Sequence, residues 1–184
     1  MFLSNPPEDE TVRKMFDEVE TDEGFVMNFA RLWAWRPDVH VAYSGARQLL
    51  ASKTQLSPRE IAVINSTTAS RIGDSYCSIA WGTKLAGLTD AETAAAVLQG
   101  NDVPALTARE RALRAWASAV VDDPNSTTRE DVEALRKAGF SEAEIFDATV
   151  LVAFRHAFST VNDALGARPD RQLAKKAPAL SLQA

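Results

Sequence analysis

The chain has one thiol, Cys77, set in the segment Gly73-Asp-Ser-Tyr-Cys-Ser-Ile-Ala-Trp81. A thiolate attacks peroxide oxygen, disulfide sulfur or carbon, whereas a protonated buried thiol is simply a small apolar residue, so its surroundings decide what Cys77 can do. Gly73 reads as the end of one helix and Asp74 as the cap of the next, which places Cys77 in a first turn near the positive end of the helix dipole. The dipole lowers a thiol pKa, and a carboxylate within one turn raises it by like-charge repulsion. The two effects are expected to cancel to within about one unit and to leave a thiol at neutral pH. Trp81, one turn further along, is a large apolar cover that carries no proton.

A base for Cys77 must therefore come from another element. His156, in Phe154-Arg-His-Ala-Phe158 of a long apolar helix, can approach the sulfur from across the fold, and Arg155 beside it can neutralise an acid or bind an anion. His40, following Pro37 and Asp38, reads as a surface residue near a helix start. Trp33, Trp35, Trp81 and Trp116 lie in predicted helices, where an aromatic side chain usually joins a core, and they can also line an apolar pocket. Two histidines and one cysteine supply too few ligands for a histidine-and-thiolate metal site, so no metal and no cofactor are expected.

The elements that must position these residues are helices. Apolar residues recur at spacings of three and four, not two. The capping-box pattern, Ser or Thr followed three residues later by Glu, occurs at Ser57–Glu60, Thr89–Glu92, Thr107–Glu110, Thr127–Glu130 and Ser141–Glu144. Helices are predicted at about 9–20, 22–35, 38–52, 57–72, 75–86, 90–99, 107–122, 128–138 and 142–165, with ends uncertain by ~2–4 residues. Gly73, Gly87, Gly100, Gly139 and Gly166 fall where left-handed C-terminal caps belong. The last long helix is predicted to carry Phe146, Val150, Phe154, Phe158, Val161 and Leu165 on one side, with Ile145, Leu151 and Val152 widening that stripe, so that it lies central in the bundle or in a subunit interface. Two segments echo each other. Leu56-Ser-Pro-Arg-Glu60 leads to Ala-Gly87-Leu-Thr-Asp, and Leu106-Thr-Ala-Arg-Glu110 leads to Ala-Gly139-Phe-Ser-Glu, which suggests two pseudo-repeated helical units in one domain.

Composition sets the outer bounds. The 184 residues suffice for one domain with its own core, and 46% hydrophobic with 24% charged residues is ordinary globular usage. A net charge of -5 opposes nucleic acid and anionic membranes as partners, which attract basic faces. No apolar run approaches the roughly 18–20 residues of a membrane span. The opening MFLSNPPEDE lacks a basic, then apolar, secretory pattern. A lone cysteine allows no intramolecular disulfide and suits a reducing compartment, so a cytoplasmic location is expected.

The stretch LSPREIAVINSTTASRIGDSYCSIAWGTKLAGLTD, from Leu56 to Asp90, resembles the core of the alkylhydroperoxidase AhpD and carboxymuconolactone decarboxylase family. There a capped helix leads into a Cys-x-x-Cys-x-x-x-His element and a Gly-Leu-Ser/Thr-Asp turn. Arg31-Leu-Trp-Ala-Trp-Arg-Pro-Asp-Val39 resembles the preceding helix and turn, and the sequence after Leu106 resembles the second half of the peroxidase-related branch. The resemblance implies an all-α, AhpD-like helical bundle over residues 25–166, which leaves an N-terminal helical extension at 1–24 and a tail at 167–184 whose polar composition from Arg168 onward predicts that it frays or pairs with a neighbouring subunit. It also implies a homo-oligomer, a trimer or hexamer.

For activity, the resemblance implies a thiol-dependent, peroxide-reducing antioxidant protein. Working members have two cysteines, a histidine and a glutamate that relays protons. On this sequence the second cysteine is Cys77, the first falls on Asp74, the histidine on Trp81 and the glutamate on Ala62, while Glu60 closes a capping box. Activity is accordingly expected to be weak or altered. The alternatives are a non-redox decarboxylase-like enzyme acting on an organic acid, with His156 and either Arg155 or Arg71 in one cavity, and a catalytically silent helical protein that binds a ligand or an assembly partner.

Overall fold

Ser57 and Pro58 begin the helix around which the others pack. The Ser57 hydroxyl accepts from the Glu60 backbone N–H, and the Glu60 carboxylate accepts from the Ser57 N–H at 2.8 Å. This helix is buried on nearly all sides, from Ala62 to Ala69, which a run of small and β-branched residues permits. The computed structural model describes residues 1–176. Among these residues the elements are α1 (Glu10–Glu23), α2 (Asn28–Trp33), α3 (Pro37–Lys53), α4 (Pro58–Ile72), α5 (Ser75–Leu88), α6 (Ala91–Leu98), α7 (Ala108–Asp122), α8 (Arg129–Lys137), α9 (Glu142–Ala164) and α10 (Arg171–Lys176), with no strand. The fold of the described residues is all-α.

Helix α4 packs chiefly on α5, α7 and α9. One core lies towards α5 and α6 and contains Val63, Ile79, Leu85 and Val97. A second lies towards α7 and α9 and contains Ile64, Leu113, Leu135 and Val152. Burying each such side chain stabilises the fold by about 1.5–3 kcal/mol.

The two echoing segments meet as near-symmetric partners. Arg59 Nε lies 2.6 Å from Glu110 Oε1, and Arg109 Nε donates to Glu60 Oε1 at 2.7 Å. Each unit thus sends the arginine of its cap to the glutamate that closes the other's capping box. Arg109 also reaches Glu144 and the Gly139 carbonyl, and lies over the Phe140 ring.

Several predicted details differ. The helix predicted over 22–35 is broken, because Gly24 ends α1 at φ 83° and α2 starts only at Asn28. The Thr89–Glu92 box does not form; Asp90 caps α6 by accepting from the Thr93 N–H at 2.7 Å, a role that its carboxylate, one residue later, performs as well as a hydroxyl. The Thr127 box is shifted by one residue to Thr128–Asp131. Gly87 lies inside α5 and not at its end. On α9 the buried face runs through Ile145, Ala148, Val152, Arg155, Ser159 and Asn162, while Phe146 is 68% exposed.

The segment expected to fray from Arg168 instead folds back, with Leu173 in the core beside α5. The Asp170 carboxylate accepts from the Asn28 N–H at 3.1 and 3.2 Å and from the Tyr76 hydroxyl. Residues 177–184 of the predicted tail lie outside the described residues.

Candidate functional site

Gly73 closes α4 in the left-handed conformation at φ 86°, and the chain turns directly into Asp74. Asp74 Oδ1 accepts from the Cys77 backbone N–H at 2.9 Å, so the predicted cap forms and places Cys77 in the first turn of α5. Asp74 is wholly buried and Cys77 is 2% exposed. The second carboxylate oxygen of Asp74 has no hydrogen-bond partner among the described residues.

The sulfur's closest partner comes from α9. Arg155 Nη1 donates to Cys77 Sγ at 2.8 Å, and Arg155 Nε donates to Asn65 Oδ1 at 3.3 Å. Asn65 is held in turn by the Ile61 carbonyl at 2.8 Å. The guanidinium lies between aromatic faces, 5.0 Å from the Phe158 ring centroid and 5.7 Å from that of Trp81. Arg155 is 3% exposed and forms no ion pair with a carboxylate among the described residues. A guanidinium only donates, so here it favours negative charge on sulfur.

Burial is the stronger influence. It pushes the Cys77 thiol up to about 12, against the pull of Arg155, and the Asp74 carboxylate adds to the rise while the nearby Ser159 hydroxyl opposes it. The expected near-cancellation thus fails, because desolvation of a sulfur this deep outweighs the first-turn dipole. At pH 7 the thiolate fraction is on the order of 10⁻⁵.

Cys77 and Arg155 line a cavity of about 590 Å³, together with Met27, Phe29, Trp81 and Phe158. This volume falls in the usual range for small-molecule sites. Trp81 contributes to its wall as an apolar cover. Trp33 stands behind it, stacked on Phe158 at 5.2 Å and bonded to Asn162. Trp35 is exposed, and Trp116 belongs to the opposite core, where it donates to Thr149. Ala62 is fully buried among apolar residues, so no acid occupies that position, and Glu60 is engaged in its capping box and with Arg109.

His156 does not reach this site. It follows Arg155 on α9 and is exposed, since consecutive helical residues point about 100° apart. Arg71 is also exposed, pairs with Asp122 at 2.6 Å and lines a separate cavity. The arrangement of His156 with Arg155 or Arg71 in one cavity is therefore absent.

The histidine at the cavity is His40, half-buried against Phe29 and Trp33, with its pKa lowered by burial and by the charge of Arg47. His40, Tyr43 and Arg47 are spaced i, i+3, i+7 and form one face of α3. His40, expected at the surface, is instead half-buried, and its spacing to Tyr43 and Arg47 is the signal in the sequence for those two residues. Tyr43 is fixed by donation to the Phe154 carbonyl at 2.6 Å.

No protein-family model and no curated protein matches the sequence. Solved structures do match. An uncharacterized peroxidase-related protein from Silicibacter sp. TM1040 aligns over 94% of this chain and 93% of its own, with TM-score 0.82 and 23% identity. A peroxidase-related protein with an alkylhydroperoxidase AhpD core, from Ralstonia eutropha JMP134, aligns over 94% and 93%, with TM-score 0.79 and 26% identity. The debrominase Bmp8, solved in complex with 2,3,4-tribromopyrrole, aligns over 97% of both chains, with TM-score 0.78 and 18% identity. The fold of the chain is thus similar to that of AhpD-like helical proteins. The debrominase shows that this fold also serves a different reaction. No helix among the described residues is long and apolar enough to cross a membrane.

Proposed function

We propose that the protein is a slow, single-cysteine thiol peroxidase in which an arginine prepares the sulfur. The reading is carried by one observation, the 2.8 Å donation from Arg155 to Cys77 at the wall of a cavity large enough for an organic hydroperoxide. In the first step the Cys77 sulfur attacks the outer peroxide oxygen. An S–O bond forms, the O–O bond breaks, and the thiol proton ends on the departing alkoxide to give an alcohol. Arg155 stabilises the negative charge that gathers on sulfur and oxygen as this happens.

The product is a sulfenic acid at Cys77, and the chain has no second cysteine to condense with it. Reduction therefore takes an external thiol. Its sulfur displaces water from the sulfenic acid to give a mixed disulfide, and a second thiol releases Cys77 with formation of the external disulfide. The high resting pKa of the buried thiol accounts for the slow rate.

The test is consumption of cumene hydroperoxide in the presence of dithiothreitol and, in a separate reaction without reductant, trapping of the sulfenic acid by dimedone with its location by mass spectrometry. Wild type is expected to consume peroxide and to carry the adduct on Cys77, and Cys77→Ser to do neither. Equal consumption by Cys77→Ser would falsify the thiol mechanism.

A further inference from the structure

The cavity wall holds a second cation, and it is uncommitted. Arg47 of α3 is half-buried and makes no hydrogen bond or ion pair among the described residues; its guanidinium carbon lies 5.7 Å from the centroid of the Tyr43 ring. Arg155, the other guanidinium of the cavity, is already engaged with Cys77 and Asn65. The two charges repel, as the lowering of the Arg47 pKa by burial and by Arg155 reflects. His40, whose pKa is also lowered, adds no positive charge at neutral pH.

Three carboxylates, Glu18, Asp22 and Glu23 of α1, also border the cavity, but all are exposed and none lies within ion-pairing distance of Arg47. Water and salt screen their effect over about 8–10 Å. The lining also includes Val19, Met27, Phe29, Ala80, Trp81 and Phe158, with Ser44 and Gln48 as neutral polar groups. A half-buried guanidinium without a counter-ion, facing a cavity with a largely apolar wall, is matched by a ligand with an anionic head and an apolar body, because a bidentate carboxylate satisfies the planar donor fork.

We propose that the cavity binds an amphiphilic organic carboxylate, with its acid group on Arg47 and its apolar body along Phe29, Trp81 and Phe158, so that the substrate class is a hydroperoxide that bears a carboxylate. This rests on the cavity being where Cys77 meets its substrate.

Isothermal titration of the full chain with octanoate and with octanol tests it, since the two probes share an apolar body and differ in the head group. Octanoate is expected to bind at least tenfold more tightly than octanol. Arg47→Gln is expected to weaken octanoate by about tenfold to a hundredfold, the worth of a charged hydrogen-bonded pair, and to change octanol less than twofold. Arg47→Lys, which keeps the charge without the fork, should retain part of the preference. Equal binding of the two probes, no octanoate binding, or an unchanged octanoate affinity in Arg47→Gln would overturn the proposal. Titrations on Cys77→Ser keep the two readings separate. Lost discrimination with Cys77-dependent peroxide consumption intact sinks the carboxylate site alone, and octanoate preference without such consumption sinks the peroxidase reading and the hydroperoxide substrate class while leaving the carboxylate site in place.

Discussion

Arg155 donates to the sulfur of Cys77 at 2.8 Å from a position 78 residues away in the chain. With no carboxylate paired to it, the guanidinium spends its charge on that sulfur. Arg155→Met is therefore expected to raise the thiol pKa further and to slow alkylation of Cys77 by iodoacetamide at pH 8 about tenfold, the effect of one pKa unit on the thiolate fraction. Arg155→Lys should restore part of the rate. Because a buried cation without a carboxylate partner is costly to desolvate, the thermal midpoint of Arg155→Met should stay close to wild type or rise. A large fall in that midpoint with unchanged alkylation would give Arg155 a purely structural role.

Asp74 acts in the opposite direction. Its carboxylate raises the Cys77 pKa, so Asp74→Asn should speed both alkylation and peroxide consumption several-fold while keeping a side chain able to cap α5. Asp74→Ala should also raise reactivity, at a stability loss of about 1 kcal/mol from the lost cap. Slower alkylation in Asp74→Asn would show that the carboxylate assists ionisation.

The cap at Asp74 and the glycine at 73 were legible in the sequence because capping is a local interaction, decided within four residues. The boxes at Ser57, Thr107 and Ser141 were legible for the same reason, whereas the reciprocal exchange of arginines between the two echoing segments depends on how the two units pack and was not. The partner of Cys77 was not legible. Which face of α9 meets α5 depends on packing across the fold, and the aromatic stripe through Phe146 and Phe154 pointed to the wrong register. A polar residue repeated on the true face, Arg155, Ser159 and Asn162, breaks the apolar pattern that periodicity detects. One position separates His156 from Arg155, and that shift carries it from the site to solvent.

The pH dependence should carry the mark of burial. With the Cys77 thiol pushed up to about 12, the logarithm of its alkylation rate should climb about one unit per pH unit from pH 7 to 10, without the plateau of an ordinary cysteine near 8.5. The sign for stability follows. The unfolded thiol loses its proton near its ordinary value of 9.0 while the folded one keeps it, so the contribution is complete below pH 9 and is lost as pH rises towards 12. Urea midpoints should fall less steeply above pH 9 in Cys77→Ala than in wild type. A rate plateau below pH 9 would place the sulfur in a far more polar setting.

The crossed pairs Arg59–Glu110 and Arg109–Glu60 should be energetically real, because Glu60 and Glu110 are largely buried and each also closes a capping box. A double-mutant cycle with Arg59→Met and Glu110→Gln, read by urea unfolding, is expected to show a coupling of about 1–2 kcal/mol. Arg109→Met should cost more than Arg59→Met, since it frees both Glu60 and Glu144. Additivity within about 0.5 kcal/mol would reduce the pairs to surface decoration.

Helix α2 supplies no side-chain cap of its own, because Met27 stands at its N-cap. Asp170 fills that role from 142 residues away, offering both carboxylate oxygens to the Asn28 N–H and accepting from the Tyr76 hydroxyl next to Cys77. Asp170→Ala is therefore expected to lower stability by about 1–3 kcal/mol, the combined loss of a cap and of a charged hydrogen bond to a buried phenol. Tyr76, whose pKa is raised by burial and by Asp170, would lose its acceptor in the same variant. Hydrogen exchange should then quicken in α2 and in the first turn of α5 together, because one carboxylate ties both. If exchange quickens only after residue 167, the returning segment is merely laid on the surface and the cap contributes nothing.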